Sequence, residues 1–252
     1  MIESATGLML RTRPLTETSL IVHWLTPDLG RLATVAKGAR RPKSPFAGKL
    51  DLFYAADFSF SRSRRSDLHS LREVSLRETH AALRQDIGCL RQAAYGAALI
   101  EQTTETETPL PAVYELLRGL LNHLTRHPSS LRSSRGNEVQ TSNRQSAIGN
   151  RQFDQSLLTS AATFQKELQA KTIFAFELKL LSELGLKPDL AKSTLTSGTR
   201  QIVSALTTSE WAALPRLKLS DAQTTELRQF LHGFLIFHLG RIPKGRNTIF
   251  TP

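Results

Sequence analysis

Ser19-Leu20-Ile21-Val22-His23-Trp24-Leu25, then Thr26-Pro27-Asp28-Leu29-Gly30, then Arg31-Leu32-Ala33-Thr34-Val35-Ala36 is the stretch on which the fold turns. The first run is rich in β-branched and aromatic residues, which fit a pleated surface. In the second, Pro suits the first central turn position, Asp tolerates the bridge region and Gly supplies a positive φ. The third should therefore return antiparallel to the first. Working outward, Gly7 to Arg13 alternates loosely between apolar and polar residues and stops at Pro14, which cannot donate to a ladder. Leu52 to Ser61 and Leu68 to Leu76 supply two more strands, joined by Arg62-Ser63-Arg64-Arg65-Ser66. Short strands at this density, with no helical period, predict a small closed or nearly closed barrel over residues 1–79.

Beyond Thr79 the apolar period becomes helical. Leu83, Ile87, Leu90, Ala94, Ala97 and Ala98 share one face, Leu110 to Leu124 reads as a second helix, and Phe164 to Leu184 as a third. Gly185 followed by Pro188 is a stop signal. Asp221 to Leu239 gives a fourth helix, with Ser220 or Asp221 as its N-cap. The whole is an α+β chain, a barrel at 1–79 and an α-helical domain at 80–252. Residues 128–156, rich in Ser, Asn, Gln, Arg and Gly, have too few apolar groups to offset their ordering entropy and read as a flexible insertion.

The 252 residues hold 33 Lys and Arg against 22 Asp and Glu, a formal charge of +11. Such an excess favours encounter with polyanions, and its placement decides whether it serves one. From Arg31 to Lys49 the chain carries Arg31, Lys37, Arg40, Arg41, Lys43 and Lys49 and no acid. Two glycines and two prolines make the second half a loop, so the cations are displayed, as contact with backbone phosphates requires. Arg62, Arg64 and Arg65 form a second cluster at a hairpin tip. The alternative for both clusters is plain solvated charge. Among the aromatic residues, most belong to the barrel interior; Phe46, inside the basic loop, is expected to be exposed as a stacking platform.

Catalytic constellations are missing: no Gly-rich phosphate loop, no Gly-x-Ser-x-Gly elbow and no His-Glu-x-x-His. His123 and His127 read as surface histidines, Glu177 as solvated or paired with a cation such as Arg241, and Cys89, the only cysteine, as inert packing on an apolar helix face. One thiol cannot form an internal disulfide, which favours a reducing compartment. The longest apolar run, Phe230 to Leu239, is about half of the roughly 20 residues needed to cross a bilayer. A cytoplasmic protein without cofactor, metal or enzymatic activity is the expectation.

Thr26-Pro27-Asp28-Leu29-Gly30-Arg31 through Ala36-Lys37-Gly38-Ala39-Arg40-Arg41-Pro42-Lys43-Ser44 resembles the signature of the RecO family of bacterial recombination mediators. Gly7 to Arg13, Phe176 to Gly185 and His238-Leu239-Gly240-Arg241 match in the family's order. The resemblance implies an N-terminal OB-fold barrel, binding of single- and double-stranded DNA, annealing of complementary strands and help in loading the recombinase RecA. It also implies RecR and the acidic, apolar tail of single-stranded-DNA-binding protein as partners. By resemblance Lys37, Arg40, Arg41 and Lys43 would touch DNA. Many members carry a four-cysteine zinc finger after the Leu-Gly-x-x-Pro stretch, where this chain reads Leu190-Ala191-Lys192-Ser193-Thr194-Leu195. The span 191–216 must then hold by packing or be loose. An RNA-binding barrel and a scaffold acting through its helices remain as rival readings.

Overall fold

The computed structural model describes residues 1–126 and 149–250, with the side chains of 149–162 left aside. Strands β1 (Ile2–Pro14), β2 (Leu20–Thr26), β3 (Gly30–Ala36), β4 (Ala55–Ser61) and β5 (Leu68–Glu78) close a barrel in the order β1-β2-β3-β5-β4. All neighbours are antiparallel except β3 and β5, which pair in parallel from Ala33↔Leu68 to Val35↔Ser70. This is the OB-fold arrangement the resemblance implied. The β2–β3 hairpin forms as read: Thr26 Oγ1 accepts the Leu29 amide at 3.0 Å, and Gly30 takes φ +67.

Strict alternation on β3 and β4 puts every second residue inside. There Trp24 stacks on Phe58 at 4.0 Å between centroids, and its indole donates to Thr34 Oγ1 at 2.8 Å. Such a satisfied N–H lets a large ring occupy the core. β1 starts at Ile2, five residues before the expected strand, because its first half pairs with β4. Its Leu8-Met9-Leu10 run is apolar at consecutive positions since both faces are covered. Met9 points into the barrel, while Leu8 and Leu10 join Leu25 and Phe53 in a second core shared with the helices.

The helices are α1 (Ile87–Thr103), α2 (Pro111–Arg126), α3 (Gly149–Glu183), α4 (Ser197–Thr208), α5 (Asp221–Leu239) and α6 (Arg246–Phe250). α3 begins well before Phe164, so the end of the expected insertion is helical; the rest of it, 128–148, lies outside the described residues. α3 ends at Gly185, whose φ of +73 reverses the chain. Ser220 caps α5 in a full capping box with Gln223. The span 191–216 is held by packing: Leu195, Val203, Leu206 and Leu214 are buried against α3 and α5 in a third core. Glu226 of α5 accepts from the Thr196 amide at 2.6 Å and from the hydroxyls of Thr196 and Thr199, which pins the start of α4.

Two polar residues expected at the surface are interior. Glu177 is fully buried and takes two bonds from Arg246, at 2.6 and 2.9 Å, and one from the Tyr95 hydroxyl at 2.5 Å. Its cation is Arg246 of α6 rather than Arg241. Burial together with the neighbouring Glu177 charge pushes the Tyr95 hydroxyl pKa well above its ordinary value. His123 is buried too, with Nε2 3.1 Å from Thr172 Oγ1 and its ring beside Trp211; His127 lies outside the described residues. Cys89 is buried, its thiol donating to the Leu124 carbonyl at 3.6 Å.

Candidate nucleic-acid interface

Between β3 and β4 the chain runs through consecutive tight turns instead of a loose arc. Ala39, Arg41, Ser44, Ala47 and Lys49 each donate their amide to the carbonyl three residues back, at 3.0–3.3 Å. Gly38 and Gly48 take φ near +70, a region costly for side-chain-bearing residues. The loop is fastened to the β1–β2 turn by the Arg40 amide on the Thr18 carbonyl, at 3.0 Å. Its other anchor is Phe46. Expected as an exposed platform, that ring is instead only 6% exposed and packs in the barrel core. An aromatic side chain flanked by turns gains more from filling the barrel mouth than from facing water.

Lys37, Arg40, Arg41 and Lys43 are thereby displayed on an ordered platform, all of them exposed. Among the described residues none of them takes part in an ion pair. Lys49 is turned elsewhere. It lines a groove of about 760 Å³ beside β1, β4 and β5, where Arg72 joins it and Asp28, Asp57 and Glu73 offset both. Arg31 is half-buried and donates to Thr104 Oγ1 at 2.8 Å and to the Thr104 carbonyl, so it ties the barrel to the end of α1. Arg64 and Arg65 are exposed at the β4–β5 tip, whereas Arg62 is held by carboxylates.

The parallel β3–β5 register places the two basic clusters at opposite ends of β3. Six residue steps from Arg31 to Lys37 correspond to about 20 Å. Reading the sequence missed the residues between them. On the outer face of β1–β3, Arg13 pairs across from Ile21, Arg11 from His23 and His23 from Ala33. Arg13 is exposed, and Arg11 meets Glu101 of α1 at 3.0 Å. His23 has its pKa lowered to about 4, first by burial and then by the charges of Arg11, Arg13 and Arg31. Burial is the main reason His23 stays neutral, and the three arginine charges add to it in the same direction. Alternation along β1 hides its two arginines, since it would place Arg11 and Arg13 with Met9 inside the barrel; the register shift between Met9 and Arg11 turns them outward.

Residues 1–80 match the family model described as Recombination protein O N terminal. Proteins called DNA repair protein RecO align with the chain: one from Listeria monocytogenes serotype 4b is 25% identical over 245 residues, 96% of this chain and 80% of the relative. Residues 1–80 are thus similar to the RecO N-terminal domain, and the similarity to proteins called DNA repair protein RecO runs on through the helices. A RecO from Exiguobacterium sibiricum is 34% identical over 116 residues, 46% of each chain, and one from Rhodopirellula baltica 34% over 110 residues, 44% of this chain and 41% of the relative. The basic loop, the arginines of β1 and the β4–β5 tip all lie inside the RecO N-terminal match.

The chain has no side chains suited to a zinc finger after α3. From Leu190 to Arg216 there is no Cys or His, and Glu210 is the only carboxylate. Zinc in such sites needs four Cys or His donors. Among the described residues no group of three or more His, Cys, Asp or Glu is placed to hold a metal, and no helix is long and apolar enough to cross a membrane.

Proposed function

We propose that the chain is a non-catalytic DNA-binding mediator in DNA repair and recombination. It binds single- and double-stranded DNA without sequence preference along the loop of Lys37, Arg40, Arg41 and Lys43 and the neighbouring exposed end of β1 at Arg13. The observation that carries this reading is a rigidly fastened loop whose four exposed cations make no ion pair among the described residues. Such an array meets phosphates through charge and releases counterions, and it reads no base edge. Covering the phosphates of two complementary strands lowers their mutual repulsion, which is the physical basis for annealing.

The RecO name of its relatives supports the remaining steps of the proposal. The chain helps load a RecA-type recombinase onto protein-coated single strands, together with RecR and the acidic, apolar tail of single-stranded-DNA-binding protein. A groove of about 370 Å³ between α3, α5 and α6 offers such a tail's apolar end Ala170, Leu219, Ile249 and Phe250, with Lys166 and Arg228 at its rim balanced by Glu167 and Asp221. Residues 1–79 would then serve DNA and 80–252 the partners.

Replacing Arg40 and Arg41 with Ala tests the reading. Affinity should fall by a similar factor for unrelated DNA sequences. The slope of log affinity against log salt should drop by roughly 0.7 per lost contact on single strands. Folding stability should hardly move, because exposed loop cations contribute little to it. Unchanged affinity and slope would place the binding face elsewhere. A preference for RNA in direct competition with single-stranded DNA would favour an RNA-binding barrel.

A further inference from the structure

At the far end of β3 the α1–α2 connection, residues 104–110, is laid against the barrel. Arg31 bonds Thr104, Arg31 and Thr106 form a parallel bridge, and the Glu107 amide donates to the Arg31 carbonyl at 2.8 Å. Gly30 lies so close beneath that an added Cβ would sit 2.0 Å from the Thr108 carbonyl oxygen. This contact brings the Glu107 carboxylate to the β4–β5 tip. One oxygen takes a bond from Arg62 Nη1 at 2.6 Å, and the other lies 2.9 Å from Nε2 of the buried His69. From the other side Glu3 takes the remaining edge of Arg62 in a two-bond fork, at 2.8 and 3.0 Å. The Glu3 bond raises the Arg62 pKa further above its ordinary value, and Arg62 lowers that of Glu3.

A guanidinium fork accepts carboxylate and phosphate oxygens with the same geometry. Arg64 and Arg65, on the same tip, are exposed and have no ion pair among the described residues. We infer that Arg62, Arg64 and Arg65 form a second phosphodiester-binding site, masked in the free protein by Glu3 and Glu107, whose carboxylates occupy the places of phosphate oxygens. The inference rests on the DNA-binding reading above and adds a second contact region at the opposite end of β3.

The mask is built to yield on one side. Glu107 keeps a positive φ of 54, a conformation costly for a side-chain-bearing residue, and its side chain is 36% exposed. It comes from the helical part of the chain, so it can withdraw without breaking the barrel. Glu3 lies within β1 and stays. A phosphate arriving at Arg64 and Arg65 therefore competes with Glu107 for one edge of Arg62, and a partner that pulls on the α1–α2 connection would expose the site.

The test compares Glu107→Gln, Arg62→Ala and the double variant in the full chain, by fluorescence anisotropy on a labelled single strand across a salt series. Glu107→Gln keeps the side-chain shape and removes the competing charge. It should tighten binding several-fold and steepen the salt slope by up to about 0.7, one contact's worth on single strands. In the double variant that gain should vanish, returning it to the Arg62→Ala level. Thermal unfolding with an intact cooperative transition shows that each variant folds; if Glu107→Gln does not, Glu107→Asn, which tolerates the positive φ, takes its place. A Glu107 variant that folds and binds with unchanged affinity and slope overturns the mask. So does a gain that persists without Arg62. If Arg40→Ala/Arg41→Ala weakens binding while the Glu107 variant is neutral, the mask alone fails; if neither changes binding, the DNA-binding reading of the barrel fails with it.

Discussion

Phe46→Ala separates two physical roles that one aromatic residue in a basic loop can have. As a base-stacking platform it would contribute about 1–3 kcal/mol per stacked base to binding and little to folding. As the buried peg found here, its truncation removes a ring packed in the barrel core and leaves a gap beneath the loop. Core Phe→Ala changes cost about 3–5 kcal/mol. For a chain of this length each kcal/mol corresponds to roughly 2–4 °C in Tm, so a fall of about 6–20 °C is expected. The loop cations remain in the chain, so the salt slope of DNA binding should be close to that of the parent. The affinity itself should decline, because the loop must now be ordered on binding. Phe46→Leu, which refills much of the volume, should recover most of the Tm. Calorimetry paired with a salt series reads both quantities. A variant with parental Tm and weakened binding would refute the peg and restore the platform.

Three further outcomes follow from the geometry. Arg246→Met leaves Glu177 buried without its cation and should destabilise by about 3–5 kcal/mol in chemical denaturation, whereas Glu177→Leu with Arg246→Met should recover much of the loss; equal losses would refute the pairing argument. His23 titrates near 4 in the folded chain and near 6.5 when unfolded, so the unfolded state gains its proton first as pH falls. Stability should decline from pH 6.5 towards 4, and His23→Gln should flatten that decline; an unaltered pH profile would count against a buried, neutral His23. Gly30→Ala meets both a positive φ and the Thr108 carbonyl, and should lower Tm by several degrees while loosening hydrogen-exchange protection around residues 104–110.

What the sequence made legible is what short-range chemistry dictates. The Thr26–Gly30 turn, the alternation of β3, the stop at Gly185 and the Ser220 cap are each decided by a few neighbouring residues. The cations of the loop were legible for the same reason, since a run without acids can be read directly. The misplaced residues are those whose partners lie far along the chain. Glu177 meets Tyr95 and Arg246, 82 and 69 positions away, and His123 meets Thr172, 49 positions away. Nothing in their local spacing distinguishes such a buried pair from a solvated charge. Phe46 failed differently: its neighbours are loop residues, and only the closed barrel supplies the cavity it fills. The Arg62 mask was out of reach because Glu107 approaches from a connection 45 positions downstream.

The shared core changes how the two parts of the chain should be regarded. Leu8, Leu10, Leu25 and Phe53 belong to the barrel by sequence, yet they pack in one cluster with α1, α2 and α3. At about 25 cal/mol per Å² of apolar surface, baring that face would remove a sizeable part of the barrel's stabilisation. The same strands present Arg11 and Arg31 to Glu101 and Thr104 at the end of α1. Apolar packing and these polar contacts therefore fix one end of the β1–β3 face, at Leu8, Arg11, Leu25 and Arg31, against the helices and leave Arg13 exposed at the other, and the α1–α2 connection crosses directly to the Arg62 tip. A partner docked on the helical part would have a short mechanical route to the Arg62 end of β3, through the α1–α2 connection packed on Arg31 and Gly30. If the Arg62 tip takes phosphate as inferred, displacement of the Glu107 carboxylate is the step through which such a partner would act.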